Sequence, residues 1–205
     1  MNEVCFDAFT VGNHEFDDGD SGLARFFDFL SEGNCQTSVL GANIVPEVGV
    51  SKLAKNTTTD YLQPHTIVEK AGIKIGIVGI DIVSKTTVSS NPDENTKFLN
   101  EFTTAQKYVD ELKSKGVNRI ILLTHFQYEN DIKLAKEING VDVIVGDDSH
   151  SLLRDFTEIG LNTKGPYPTI IKKKTGNIVC VVKAWQYSQI VGKLNVSFDK
   201  NGNVT

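Results

Sequence analysis

Three apolar segments of this chain each end in a cluster of polar side chains. Val4 to Val11 is followed by Gly12-Asn13-His14-Glu15-Phe16-Asp17, Ile120 to Thr124 by His125, and Val141 to Val145 by Gly146-Asp147-Asp148-Ser149-His150. Short apolar runs bounded by polar residues are typical of buried strands. In parallel α/β sheets, ligands bind at the edge where the strands end. The three segments therefore predict an α/β fold with a functional site at the carboxyl edge of a sheet.

The other periodic segments predict the topology of that sheet. Helices are predicted over Asp20 to Gly33, Phe102 to Lys115 and Asn130 to Ile138, and further strands over Ser38 to Ile44, Tyr61 to Lys70, Ile73 to Ile80, Val117 to Thr124, Thr169 to Lys173, Ile178 to Trp185 and Val191 to Phe198. The β-α-β-α-β order from Ile73 to Val145 predicts parallel strands with right-handed crossovers. The strands after Tyr167 leave no room for crossover helices and are expected to be antiparallel. Pro46 to Thr59 and Ser84 to Lys97 are expected to be surface loops.

Two residues near the strand ends have local predictions of their own. Gly12 is expected to let the chain turn sharply as it leaves the first strand, because glycine accepts dihedral angles that other residues avoid. Asn43, near the end of the strand that begins at Ser38, is expected to be a further polar residue at the sheet edge.

Length and composition indicate one soluble globular domain. A chain of 205 residues with 40% hydrophobic and 23% charged residues is long enough for one sizeable core. The net charge of −5 argues against non-specific binding of nucleic acid. No segment approaches the length of a membrane span, and Met1-Asn2-Glu3 does not begin a signal-peptide pattern.

The three cysteines, Cys5, Cys35 and Cys180, include no C-x-x-C pair. Neither a zinc knuckle nor a disulfide scaffold is therefore indicated. Cys5 and Cys180 lie inside predicted strands and are interpreted as small buried hydrophobic residues.

Three of the four histidines follow apolar strands, and this placement favours a metal site. Imidazole, carboxylate and amide oxygen suit Zn²⁺, Mn²⁺ or Fe²⁺ better than Ca²⁺. Two such ions about 3.5–4 Å apart would clamp a phosphate group and activate a bridging water. The alternative is that each histidine is an ordinary loop residue. His65 lacks a strand-end context and is interpreted as a structural or surface residue, and Trp185-Gln186-Tyr187 is interpreted as core and sheet packing in preference to a substrate-stacking surface.

These blocks resemble motifs of the 5′-nucleotidase family, within the calcineurin-like metallophosphoesterases. The similarity extends over nearly the whole chain. Its segments are Phe6 to Asp17, which resembles the family's Asn-His block, Leu123 to His125, Val141 to His150, which resembles the Gly-His-x-His block, Tyr167 to Thr169 and Val182 to Tyr187.

The resemblance implies a role for each matching residue. Asn13 and His125 would bind the second of two metal ions, and His150 would bind the first. Asp148 stands where most members have histidine and would also be a ligand. His14 would stabilise charge on the phosphoryl oxygens, with Asp17 orienting its ring. Two further departures from the family pattern are Asp147 and Arg154, each at a position where glycine is common.

The resemblance also implies an incomplete domain. Family members form an α/β/β/α sandwich that begins with an Asp-x-His strand end and a Gly-Asp block, which supply the first metal's ligands and the bridging carboxylate. This chain starts just before the third block. Residues 1–205 are therefore predicted to be an N-terminally truncated metallophosphoesterase domain that lacks its first strands, without the C-terminal domain that recognises the nucleotide.

Two functions are consistent with the sequence. In the first, the parent protein is a metal-dependent hydrolase of nucleotides or related phosphate esters that uses two divalent ions such as Zn²⁺, Mn²⁺, Mg²⁺ or Fe²⁺. The resemblance would place it in the periplasm, outside the cell or on the cell surface, with no nucleic-acid partner. In the second, the chain is a non-catalytic fragment or scaffold domain that binds at most one metal. An exposed sheet edge would favour self-association in either case.

Overall fold

A mixed six-stranded sheet forms the centre of the protein. The computed structural model describes all residues, 1–205. Its strands are β1 Ala8–Thr10, β2 Ser38–Leu40, β3 Ile44–Pro46, β4 His65–Lys70, β5 Ile73–Asp81, β6 Thr96–Phe98, β7 Ile120–His125, β8 Val143–Gly146, β9 Thr169–Lys172 and β10 Ile178–Val182, and its helices are α1 Gly19–Ser31, α2 Val83–Ser89, α3 Glu101–Ser114 and α4 Tyr128–Glu137. The sheet order is β4-β5-β7-β8-β10-β9. The central strands β5, β7, β8 and β10 are parallel, and β4 and β9 are antiparallel edge strands. The predicted parallel core and antiparallel hairpins are thus confirmed.

Two glycines of β5 show how the layers stack on this sheet. Residues three apart in a strand point to opposite faces. A side chain at Gly76 would contact Leu112 of α3, whereas one at Gly79 would overlap Leu40 of β2 and approach Thr10 of β1. Helix α3 therefore covers one face of the large sheet, and the parallel pair β1–β2 covers the other.

Helix α1 covers the outer side of the β1–β2 pair. Leu23, Phe27 and Leu30 recur at helical spacing and are buried, and the ring of Phe26 packs edge-on against Phe9 of β1. The layers therefore run helix, large sheet, small sheet, helix. This is the α/β/β/α arrangement expected from the sequence.

The hydrophobic core is divided between these layers. One cluster of 20 buried residues joins the large sheet to α3 and α4, and includes Ile80, Leu112 and Leu122. A second cluster of 10 buried residues lies under α1 and includes Phe16 and Val39. The strand ends that carry the polar clusters lie at the rim of both cores. None of the helices has the length and apolar character needed to cross a membrane.

Several predicted elements differ from the structure. The opening strand is only Ala8–Thr10, the predicted strand Ser38 to Ile44 is divided into β2 and β3, and the segment from Val191 to Phe198 forms no strand. The predicted loop from Ser84 to Lys97 instead contains most of α2 and the start of β6. Its side-chain hydroxyls explain the error, because Thr86 and Thr87 bond to carbonyls four residues earlier within the helix and hide its pattern in a polar composition.

The interpretation of Cys5 is wrong. Cys5 lies before β1, is exposed and forms a disulfide with Cys35, at the end of the loop that follows α1. Its backbone has a left-handed φ of 54°, which a strand residue does not adopt. Cysteine motifs are recognised from closely spaced pairs. The sequence therefore gives no indication of a bridge between cysteines 30 positions apart. Cys180 is buried in β10 with a free thiol, as predicted.

Candidate active site

The carboxyl ends of the parallel strands meet at one edge of the large sheet. His125, the last residue of β7, is in register with Asp81, the last residue of β5. Thr124 is in register with Gly146, where β8 ends and the segment containing Asp148 begins. The 3₁₀ turn Asn13–Phe16, which follows β1, approaches the same edge from the small sheet. The strand-end blocks identified in the sequence are thus brought together in space.

Asn13, His125 and Asp148 form the centre of this cluster. Nε2 of His125 lies 2.9 Å from Oδ1 of Asn13 and 3.6 Å from Oδ1 of Asp148. Asn13 is 3% exposed, and the Asp148 side chain is also 3% exposed. Burial lowers the pKa of His125, although the nearby Asp147 and Asp148 carboxylates oppose the shift. The imidazole is therefore neutral near pH 7, which is the form that binds metal.

Gly12 permits the close approach of this histidine. Its backbone is extended, with φ of −123°, so the turn does not need the conformational freedom predicted for it. A Cβ at Gly12 would instead overlap the ring atoms of His125. The glycine is required because an imidazole packs directly on the backbone at this point.

His14 and Asp17 lie at the exposed rim of the cluster. Nδ1 of His14 is 2.8 Å from Oδ2 of Asp17, and the two side chains are 75% and 50% exposed. The hydrogen bond with His14, together with one from Ser90, holds the pKa of Asp17 below its ordinary value. This contact fixes one ring nitrogen and leaves Nε2 of His14 available to a ligand.

His150 does not join the other candidate ligands. It is exposed, has a left-handed φ of 48°, and packs against the ring of Tyr187 with 5.4 Å between centroids. No three His, Cys, Asp or Glu side chains of the chain converge as a ready-made metal site. Tyr187 is itself 76% exposed and borders a groove of about 620 Å³, so the interpretation of this segment as core packing is wrong for Tyr187.

Helix α2 supplies residues that the sequence prediction missed. Nζ of Lys85 lies 2.6 Å from Oδ1 of Asp148. Nδ2 of Asn13 donates to Oγ of Ser89 and, at 3.5 Å, to Oγ of Ser90. The segment predicted to be a polar surface loop is therefore one wall of the cluster.

Asp81 is a second missed residue. It is fully buried, its Oδ2 accepts a hydrogen bond from Thr86, and its Oδ1 has no partner. Burial raises its pKa to about 7. It is the first polar residue after the apolar run of β5, so the strand-end rule that selected His125 would also have found it.

The side chain of Asn43 is hydrogen-bonded to the backbone at the end of β5. It is buried, its Oδ1 accepts from the backbone N–H of Asp81, and its Nδ2 donates to the carbonyls of Asp81 and Leu99. Asn43 is thus a structural clamp for the strand end. His65 is also remote from the cluster, since it lies on β4 beside Glu111.

The donors at the centre fit one divalent cation. An amide oxygen, an imidazole nitrogen and a carboxylate suit ions such as Mn²⁺ or Zn²⁺. Oδ2 of Asp148 is buried and has no hydrogen-bond partner, so this carboxylate has unused ligand capacity. Its other oxygen is neutralised by the ammonium of Lys85.

This layered fold, with a polar cluster at its strand ends, is that of the calcineurin-like phosphoesterases. The chain superposes on the calcineurin-like phosphoesterase YfkN of Bacillus subtilis with a TM-score of 0.61, at 21% identity, over 88% of this chain and 55% of that one. No model of a protein family matches the sequence.

Comparison with more similar proteins narrows this class. NAD nucleotidase from Haemophilus influenzae superposes with a TM-score of 0.90, at 38% identity, over 100% of this chain and 39% of that one. A probable 5′-nucleotidase of Treponema pallidum is 42% identical in an alignment that covers 100% of this chain and 33% of the relative. The chain is therefore similar over its whole length to 5′-nucleotidases, and spans about a third of the length of the curated relatives it matches.

Proposed function

We propose that this chain is part of a metal-dependent phosphohydrolase of the 5′-nucleotidase type. The observation that carries the proposal is the contact of Asn13, His125 and Asp148 at the strand ends, with His14 exposed beside them. The substrate class is phosphate esters of nucleotides or related compounds, in agreement with relatives described as a NAD 5′-nucleotidase and as 5′-nucleotidases.

Each residue has a defined part in this proposal. Asn13 Oδ1, His125 Nε2 and the Asp148 carboxylate hold a divalent ion, and His150 serves the other ion of a dinuclear centre. A bound divalent ion supplies charge neutralisation for the phosphate and lowers the pKa of a bound water. His14 donates through Nε2 to a phosphoryl oxygen, because its Nδ1 is engaged by Asp17.

The proposal includes an oxidising location. Disulfides persist in extracytoplasmic compartments and are rare in the cytosol. The Cys5–Cys35 bridge and the relatives described as snake venom 5′-nucleotidases both support secretion or surface display of the protein.

Self-association through exposed strand edges is also part of the proposal. Strand β1 pairs only with β2, and the exposed apolar side chains of Phe6 and Val145 line a groove beside it. Light scattering at tens of micromolar should show species larger than one chain, and a clean monomer would contradict this.

The test of the activity uses the complete gene product. We expect phosphate release from nucleoside monophosphates with Mn²⁺ or Zn²⁺, loss of this release with a chelator, and strong loss in His14→Ala. His65→Gln is the matched control, because His65 contacts Glu111 far from the cluster. Full activity of His14→Ala, or activity insensitive to chelator, would contradict the proposal.

A specific observation favours a second candidate, a non-catalytic domain that binds at most one metal. Lys85 already neutralises Asp148, and His150 lies apart from the other candidate ligands. Elemental analysis of the 205-residue chain distinguishes the two, because two tightly bound ions would contradict this candidate.

A further inference from the structure

Lys183 is a buried lysine directly beneath the candidate site. It follows β10, and its side chain is 1% exposed. Its Nζ lies 2.7 Å from Oδ2 of Asp131, whose side chain is fully buried in α4. The same ammonium donates to the carbonyls of Phe126, at 2.7 Å, and Asp147. The ammonium thus donates to two backbone carbonyls and pairs by charge with the Asp131 carboxylate.

Both carbonyls belong to residues adjacent to candidate metal ligands. Phe126 directly follows His125, and Asp147 directly precedes Asp148. Asp131 is tied to the same region, since its Oδ1 accepts a hydrogen bond from Thr124 at 2.7 Å. One ammonium group thus joins the ends of β7 and β8 to α4 and β10.

Gly146 shows how closely the backbone packs on this pair. A Cβ at Gly146 would overlap Oδ2 of Asp131 and lie 2.6 Å from Nζ of Lys183. No side chain larger than hydrogen fits there without displacing the ion pair. The end of β8 therefore rests directly on the Lys183–Asp131 pair.

Stability alone does not account for this arrangement. Replacing a buried ion pair with apolar residues of similar volume is often neutral or stabilising, because the desolvation of two charges offsets their attraction. What an apolar pair would not reproduce is the two hydrogen bonds to the carbonyls of Phe126 and Asp147. The pair therefore serves to fix the relative positions of the ends of β7 and β8.

We propose that Lys183, held by Asp131, is a positioning residue that sets the separation between His125 and Asp148 through the carbonyls of Phe126 and Asp147. The metal-binding consequence rests on the proposed function, whereas the geometric role holds without metal. Nothing in the periodicity or motifs of the sequence singles out Lys183 for this role.

Three variants of the 205-residue chain test the proposal. Lys183→Met removes the ammonium, and Lys183→Arg retains a buried cation with several donors. The double variant Asp131→Leu/Lys183→Met removes both charges and so avoids an unpaired buried carboxylate. Val179→Ala is the matched control, because Val179 is a fully buried apolar residue of β10, the strand that Lys183 follows.

Two readouts are compared with the free energy of unfolding in urea. We expect amide hydrogen exchange at Phe126 and Asp148 to accelerate at least tenfold in the double variant, and its affinity for Mn²⁺ to fall by about tenfold. The double variant should nevertheless be at least as stable as Val179→Ala. Lys183→Arg should restore part of both readouts relative to Lys183→Met.

Equal changes in amide exchange and Mn²⁺ affinity in the double variant and in Val179→Ala would overturn the positioning role. Both changes would then reflect the loss of stability alone. If the unmodified chain binds no Mn²⁺, the amide exchange rates alone test the positioning role of Lys183. Mn²⁺ binding that depends on Lys183, without phosphate release by the complete protein, would contradict only the proposed function.

Discussion

Lys85 on α2 reaches Asp148 across the site, with 2.6 Å between Nζ and Oδ1. The lysine is 40% exposed and the aspartate 3%, so a partly exposed cation covers a buried anion. The carboxylate that is expected to bind metal is therefore neutralised by the protein's own side chain.

Lys85→Met is expected to strengthen the binding of divalent cations. The ammonium competes with the metal for Asp148, and even a solvent-exposed ion pair contributes up to about 1 kcal/mol, which corresponds to about fivefold in affinity. Isothermal titration with Mn²⁺ measures the change. Lys136→Met, an exposed substitution on α4, is the control, and weaker binding by Lys85→Met than by this control would contradict the competition.

Removal of the Cys5–Cys35 bridge is expected to destabilise the chain by about 3–4 kcal/mol. The bridge closes a segment of 30 positions, and its loss increases the conformational entropy of the unfolded state. Urea unfolding of Cys5→Ser/Cys35→Ser measures this. Reductant added to the double variant is the control and should have no further effect, and a loss below about 1 kcal/mol would show that the bridge constrains little.

Asp81→Asn is expected to remove part of the pH dependence of stability. Burial raises the pKa of Asp81 from 3.8 to about 7, so between these values the folded chain holds a proton that the unfolded chain releases. The free energy of unfolding therefore falls as the pH rises from about 3.8 to about 7. The contribution of protonated Asp81 to stability is complete only below this range.

The amide cannot ionise, so the advantage of Asp81→Asn over the unmodified chain should grow by about 1–3 kcal/mol between pH 5 and pH 8. Denaturant titrations at the two pH values give this difference. Asp110→Asn, an exposed change on α3, should show no such growth. An advantage that stays constant with pH would mean that Asp81 is ionised in the fold.

Asn43→Leu is expected to cost about 2–4 kcal/mol of stability. The change deletes three hydrogen bonds and leaves the buried N–H of Asp81 without its acceptor. Thermal or urea unfolding checks the loss. Asn139→Leu, at an exposed position after α4, provides the comparison, and equal effects of the two substitutions would contradict the clamp.

The parallel core of the fold was predictable because its strands obey local rules. The runs that begin at Ile73, Ile120 and Val143 are mostly apolar, and each ends at or just before a polar residue. The same rule placed Asn13, His125 and Asp148 at one edge. What local patterns could not give is the orientation of side chains after the strands, so the separation of His150 from this group was not foreseen.

Long-range contacts account for the remaining errors. Helix α2 is short and rich in Ser and Thr, and it is held by contacts such as Lys85 with Asp148, 63 positions away. Its local sequence therefore gives little indication of a helix. The partner of Cys5 and the acceptors of Lys183 are likewise determined by the assembled fold.

The proposed binding of a divalent ion by Asn13, His125 and Asp148 can be measured directly. The most direct measurement is a Mn²⁺ titration of the 205-residue chain and of His125→Ala, with His65→Gln as control. We expect saturable binding by the unmodified chain and His65→Gln, and at least a tenfold loss of affinity in His125→Ala. Equal binding by all three proteins, or no binding by any of them, would contradict it.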